Sequence, residues 1–302
     1  MLPTYEVLGP PRAPVTVVLG GISATAHVCR THLDPSPGWW EPIVGPGRAI
    51  DTRRRRVVSI EALDGGARDD GRPARRISTA EQADAVAGVL DALQVPVAAA
   101  LVGASYGGMT ALAFGARHPE RVRQLIVLGA AHESDPMTTA RRAIQRQIVE
   151  LGLDTGAPER AVAIARALAM TTYRSAREFR GRFDNTPSLD GDTLRFPVES
   201  YLSQRGAEYA GRTSAARFLA LSLSADAHRV SPPQITVPTT LVALGEDAVV
   251  PRHQLVLLGA QLGAPATLQD VPSIHGHDAF LLEPAAVAAV LTSALTSLRS
   301  AA

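Results

Sequence analysis

A serine framed by glycines constrains this chain more than any other feature. Gly103-Ala104-Ser105-Tyr106-Gly107 follows an apolar run at residues 97–102 and precedes an alanine-rich stretch at 109–117. Strand, sharp turn and helix in that order is the context in which a G-x-S-x-G motif lifts a serine hydroxyl above a sheet. The small residues have physical work there. Gly103 and Gly107 let the strand and helix backbones approach, Ala104 keeps the turn uncrowded, and Ser105 is expected in a strained conformation with positive φ. G-x-S-x-G by itself recurs by chance in glycine-rich turns. The flanking strand and helix are what favour a nucleophile over that reading.

The rest of the chain supplies a matching rhythm. Apolar runs at 15–19, 57–60, 97–102 and 124–128 read as buried strands. Ser78 or Thr79 is placed to cap a helix running to Leu93, with Ala83, Val86, Ala87 and Leu90 on one face. Strands alternating with helices imply a mostly parallel sheet covered on both faces. The alternation lapses from about Glu133 to Ser231, where helical patterns dominate, clearest at 141–151 and 158–171. It returns with strands at 239–244 and 267–271 and a last helix at 284–298. The expected organisation is an α/β core from residues 1–132 and 232–302, interrupted by a helical insertion at 133–231. Such an insertion serves as a lid over the catalytic end of a sheet.

Composition removes several chemistries. The formal net charge of +1 offers no broad field for nucleic acid, and all 30 Lys+Arg residues are arginine, which excludes a lysine nucleophile, a Schiff base or a P-loop lysine. Cys29 is the single cysteine, so neither an internal disulfide nor a cysteine zinc cluster is expected; a buried thiol is. The first residues lack the pattern of a signal peptide, and no run of about 18 apolar residues occurs, so a cytoplasmic protein with no membrane partner is expected. The charge run Arg53–Arg56 reads as a solvated approach to a strand, with an anion site as the competing possibility.

A serine hydroxyl needs a base within hydrogen-bond reach, and the base needs an orienting acid. On a sheet of this kind the chain order is serine, acid, histidine. The strand ending at Leu244 runs into Gly245-Glu246-Asp247, and either carboxylate could serve; Asp247 is favoured because it sits deeper in the turn. Beyond the last strand the chain reads Ser273-Ile274-His275-Gly276-His277-Asp278. His277, at the start of an apparent helix, is favoured as base over His275 in the approach loop. A zinc reading of the His-x-His spacing lacks further ligands, and no metal is expected. An oxyanion hole needs two backbone donors. Tyr106, after the nucleophile, supplies one; the loop Gly20-Gly21-Ile22-Ser23 supplies the other, through Ile22.

These motifs together resemble the homoserine O-acyltransferases of the α/β-hydrolase superfamily. The resemblance runs through Leu19 to Ala24, Gly38 to Thr52, Gly103 to Met109, Gln145 to Ile148, Met170 to Ser175 and Gly276 to Leu281. It implies an α/β-hydrolase fold and a ping-pong reaction in which Ser105 takes an acyl group from acyl-CoA and the hydroxyl of L-homoserine takes it away, as in methionine synthesis. It implies substrate-binding roles for Arg174 and Asp278, whose charges suit an amino acid's carboxylate and ammonium. Read without the resemblance, Arg174 is a surface arginine and Asp278 a first-turn acid. The loop Gly20-Gly21-Ile22-Ser23 and the Gly-Trp-Trp string are more similar to the succinyl-transferring branch, as is the string at 221–229. That points to succinyl-CoA as co-substrate, no bound cofactor, and a pocket offering a cation or several donors to the succinyl carboxylate, with Ser23 and a lid arginine as candidates. The resemblance also implies a homodimer. Acetyl transfer, a serine acceptor and plain ester or thioester hydrolysis are the competing activities.

Overall fold

The computed structural model describes residues 2–297. Seven strands build the main sheet. In chain order the strands are β1 (Tyr5–Leu8), β2 (Val15–Leu19), β3 (Val44–Gly45), β4 (Ile50–Asp51), β5 (Arg56–Ile60), β6 (Ala100–Ala104), β7 (Leu125–Leu128), β8 (Ser188–Asp190), β9 (Thr193–Arg195), β10 (Thr239–Leu244) and β11 (Ala266–Val271). The sheet order is β1-β5-β2-β6-β7-β10-β11, while β3-β4 and β8-β9 form separate two-stranded ladders. All neighbours in the sheet are parallel except β1, which runs antiparallel on the edge of β5.

The helices are α1 (Thr79–Ala92), α2 (Tyr106–Arg117), α3 (Pro136–Asp154), α4 (Pro158–Tyr173), α5 (Ala176–Arg182), α6 (Pro197–Ala210), α7 (Ala215–Asp226), α8 (Arg252–Gln261), α9 (Ala279–Leu282) and α10 (Pro284–Ser297). Local signals set their starts. Ser78 accepts from the Glu81 amide while the Glu81 carboxylate accepts from the Ser78 amide, a reciprocal cap on α1. Asp135 caps α3, with Pro136 in its first turn. Central strands are buried along their whole length because helices cover both faces. Two cores result. One packs β2 and β6 side chains such as Val17 and Leu101 against α1, α2 and α8; the other packs Val18, Val102 and Leu128 against Trp40, Phe280 and α10. Cys29 is buried in the second core, and burial pushes its thiol up to about 11.

The expected strands recur with small shifts. The elbow strand begins at Ala100 rather than Val97, because Val97 is exposed and the chain bends before the ladder starts. Several elements had no expectation, among them the edge strand β1, too short and polar to announce itself, the two-residue strands β3 and β4, helix α8, and the exposed β8-β9 hairpin inside the otherwise helical insertion. Arg53 and Arg54 lie exposed on the approach to β5. No single helix among the described residues is long and apolar enough to cross a membrane.

Strand register decides where side chains can meet. Leu19 lies opposite Gly103, Ala104 opposite Leu128, Leu128 opposite Val242, and Leu244 opposite Val271. The carboxyl ends of β2, β6, β7, β10 and β11 therefore stand side by side, the edge of an open parallel sheet at which ligands bind.

Candidate active site

Ser105 leaves β6 at that edge with φ 53° and ψ −120°, outside the ordinary regions for a side-chain-bearing residue. Its amide donates to the Leu128 carbonyl of the neighbouring strand, pinning the turn. A β-carbon on Gly103 would lie 2.3 Å from the Gly107 carbonyl oxygen, and one on Gly107 would lie 2.3 Å from that of Leu19. The elbow closes only because both positions lack a side chain.

Asp247 and His277 arrive from the ends of β10 and β11. His277 Nε2 is 2.7 Å from Ser105 Oγ, and His277 Nδ1 is 2.7 Å from Asp247 Oδ2. Asp247 Oδ1 accepts from the amides of Val249 and Val250, which fixes the carboxylate while its other oxygen faces the imidazole. Gly129 makes room for this line of groups. With φ 55° it sits under the imidazole, and a β-carbon there would be 3.4 Å from His277 Cε1 and 2.8 Å from Leu244 Cδ1. Burial disfavours the charged imidazole, but the Asp247 carboxylate outweighs it by charge and hydrogen bond, with Asp278 adding to the effect; the His277 pKa is raised above its ordinary 6.5. A hydroxyl on a buried base, itself oriented by a carboxylate, can attack an acyl carbon.

The alternatives weighed in sequence fall elsewhere. Glu246 turns outward at positive φ toward Arg177, 3.4 Å away. His275 has its Nδ1 3.1 Å from Glu178 Oε2 and no hydrogen bond to Ser105. His277 itself occupies a 3-10 turn (Gly276–Asp278) ahead of α9 rather than the first turn of a helix.

The two backbone donors expected of an oxyanion hole are placed by different devices. Tyr106 opens α2, whose first N–H groups have no intrahelical acceptor and whose dipole favours negative charge. Among the described residues the amides of Tyr106 and Ile22 meet no acceptor. The loop Gly20–Ser23 lies beside the serine, since a β-carbon on Gly21 would sit 3.7 Å from Ser105 Cβ. Trp39 packs against Gly20, stacked at 5.0 Å on Trp40, and Trp40 Nε1 donates to the Phe280 carbonyl. The tryptophan pair thus braces the Gly20–Ser23 loop and the chain just after His277 together. The Tyr106 phenol is held behind the loop by Ser224 at 2.7 Å and by Gln82 at 3.1 Å; burial pushes its pKa up to about 12.

Arg174 and Asp278 do meet. Arg174 Nε donates to Asp278 Oδ2 at 2.9 Å and its Nη1 to Glu178 Oε1 at 2.8 Å, with the Arg174 side chain 14% exposed. This is no surface arginine. Ser175 Oγ bonds the Ile274 carbonyl, so the end of α4 is docked on the histidine loop at two points. Nη2 of Arg174 and Oδ1 of Asp278 have no hydrogen-bond partner among the described residues. A cation and an anion held in contact, each with a free face, suit a zwitterion whose charges are one carbon apart.

Sequence reasoning missed Glu178, which reaches Arg174 across the break between α4 and α5, where Arg174 itself is extended rather than helical. It also missed a buried cluster in the insertion. Asp226 accepts from Arg142 Nε at 2.6 Å and from Arg146 Nη1 at 2.5 Å; Arg142 also reaches Ser134, and Arg146 reaches Ser222. Only folding of α3 against α7 reveals it.

The comparisons agree with this architecture. A family model described as the alpha/beta hydrolase fold matches residues 17–284. A homoserine O-succinyltransferase of Xanthomonas campestris pv. campestris is 42% identical over 291 residues, covering 96% of this chain and 78% of that protein. A homoserine O-acetyltransferase of Mycobacterium avium is 34% identical, covering 95% and 82%. The crystal structure of esterase E22 superposes with a TM-score of 0.85 at 21% identity, over 96% of this chain and 93% of that one, which speaks for the fold alone. With a sheet, an elbow and relatives matched over most of the chain all in agreement, the chain belongs to the α/β-hydrolase fold family and, within it, to the homoserine O-acyltransferases.

Proposed function

We propose that this enzyme moves the succinyl group of succinyl-CoA to the hydroxyl of L-homoserine through a succinyl-Ser105 intermediate. The observation that carries the proposal is the 42% identity to a homoserine O-succinyltransferase over 96% of the chain. Its catalytic geometry rests on the hydrogen-bonded line from Ser105 through His277 to Asp247.

In the first half-reaction Ser105 Oγ attacks the thioester carbonyl while His277 Nε2 takes the hydroxyl proton. Negative charge gathers on the carbonyl oxygen, toward the amides of Ile22 and Tyr106. The C–S bond then breaks, and the proton on His277 goes to the departing CoA sulfur. In the second, the homoserine hydroxyl gives its proton to His277 and attacks the acyl carbon, and the proton returns to Ser105 Oγ as its ester bond breaks. Asp247 holds the imidazole in the tautomer that presents a lone pair to the serine and offsets the imidazolium charge. Asp278 takes the substrate ammonium and Arg174 its carboxylate, which fixes the side-chain hydroxyl toward the acyl group.

Residues 133–231 act as a lid in this reading, excluding the water that would hydrolyse the intermediate. The functional form is a cytoplasmic homodimer. Exposed Met137, Ile144 and Leu151, seven residues apart on α3, support a self-association face.

Intact-mass analysis tests the whole reading. Mixing with succinyl-CoA is expected to add one succinyl group, lost in Ser105→Ala and discharged faster by homoserine than by serine or water. No adduct from succinyl-CoA or acetyl-CoA would end the acyltransferase reading, and discharge by water at the homoserine rate would make the protein a hydrolase.

A further inference from the structure

His275 precedes His277 by two residues and faces a different set of groups. Its Nδ1 lies 3.1 Å from Glu178 Oε2 and its Nε2 3.9 Å from Glu283 Oε1. The His275 Nδ1 and Glu178 Oε2 atoms are both buried and have no hydrogen-bond partner among the described residues. A buried carboxylate oxygen without a donor is costly, and a cation beside it offsets that cost. The histidine is fixed from its own loop, because its amide donates to Ser273 Oγ and the Ser273 hydroxyl donates to Glu283 Oε1. A neutral imidazole carries a proton on one nitrogen only, whereas a charged one serves both carboxylates at once.

Glu178 is also the second anchor of Arg174, through Oε1 at 2.8 Å. One carboxylate, 7% exposed, is thus shared between the guanidinium of the amino-acid clamp and an imidazole of the loop before His277. Charged groups surround this point from every neighbouring element. Helix α5 carries Glu178 and Arg182, whose Nη1 is 3.5 Å from Glu178 Oε1, and the end of α4 carries Arg174. The 3-10 turn carries His277 and Asp278, and Glu283 follows α9. The loop after β10 adds Glu246, paired with Arg177 of α5. These four carboxylates and three guanidiniums leave one negative charge, which a proton on His275 cancels.

We propose that His275 in its charged form is a positioning residue for the amino-acid acceptor: it draws on Glu178 and so leaves Arg174 free to hold the substrate carboxylate. This rests on the acyltransferase reading above and names what tunes its acceptor clamp. As pH rises and His275 loses its proton, Glu178 falls wholly to Arg174 and the hold on homoserine weakens. His277 works in the opposite sense, since its chemistry needs the neutral ring.

The test follows discharge of preformed succinyl-Ser105 and reads the homoserine concentration that gives half the maximal rate. Between about pH 5.5 and 7.5, where an imidazole changes charge, this concentration is expected to rise roughly 5-fold in wild type, the lower end of coupling between two sites. His275→Gln, without the charge, is expected to show the high value throughout. His275→Lys, with a lasting charge, is expected to keep a low value to the top of the range. Both effects are expected to exceed any change in acylation by succinyl-CoA. A wild-type value flat with pH, the same rise in His275→Gln or His275→Lys as in wild type, or equal losses in both half-reactions overturns the positioning role. Those outcomes leave the acyltransferase reading standing, whereas failure of succinyl-CoA and acetyl-CoA to acylate Ser105 removes that reading and the proposal with it.

Discussion

The edge of the sheet and the helical insertion solve the problem of placing functional groups in opposite ways. At the edge, backbone does the placing. Ser105 is held by positive φ and by close approaches that only glycine permits, and Asp247 by two amides of its own turn. In the insertion, side chains do it. Arg174 is set by Asp278 and Glu178, and Arg142 by Asp226 and Ser134, over long flexible stems. A catalytic group tolerates little displacement, so a stiff support suits it. A binding group that decides which substrate enters can be re-aimed by one substitution, which suits a family whose members differ in donor and acceptor.

The sharpest way to break this contrast is at the nucleophile. Ser105→Ala is expected to lower turnover by on the order of 10⁶ with no adduct by mass spectrometry. A measurable succinyl adduct in that variant would put the nucleophile elsewhere. Asp247→Asn is expected to cost about 10⁴ in kcat, because the imidazole loses its orienting acceptor. Its pH profile sharpens the point. In the proposed mechanism neutral His277 is the active base, so the rate is expected to rise with pH as it deprotonates, with the wild-type acid limb above the ordinary 6.5 because the His277 pKa is raised. Without the Asp247 charge the burial effect dominates and the limb is expected to move to lower pH. A limb that stays put in Asp247→Asn would mean another group titrates.

Side-chain supports should show graded effects on one substrate only. Arg174→Leu is expected to raise KM for homoserine roughly 10- to 100-fold, a far larger change than in acylation by succinyl-CoA. Comparable losses in both half-reactions would remove its assigned part. Glu178→Gln should do less. Asp278 still holds Arg174, so KM for homoserine is expected to rise only several-fold, with a loss of about 1 kcal/mol in unfolding free energy by denaturant titration. A Glu178→Gln effect matching that of Arg174→Leu would show that the guanidinium has no second anchor.

Much of the sheet was legible because its information is local. The run at 239–244 is buried at every position, with two threonines leading into four apolar residues, and β2 and β10 have the bounds that their composition implies. The elbow was legible for the same reason, since five adjacent residues carry both its sterics and its chemistry. Choosing His277 over His275 and Asp247 over Glu246 was an argument from position; the distances to Ser105 and between the pair are what the fold adds. The tryptophan brace, Glu178 and the shared Asp226 carboxylate were not legible. Trp40 and Phe280 are 240 residues apart in the chain, and Arg146 and Asp226 are 80. No short-range pattern marks such pairs.

From its sequence alone, then, this protein had a parallel sheet, an elbow serine and an ordered set of partners for it. Those follow from steric limits on the backbone and from hydrophobic periodicity, which act between near neighbours. Which arginine meets which carboxylate was decided only when α3, α4 and α7 packed over the sheet edge, because a salt bridge depends on the separation of charges in space and not along the chain.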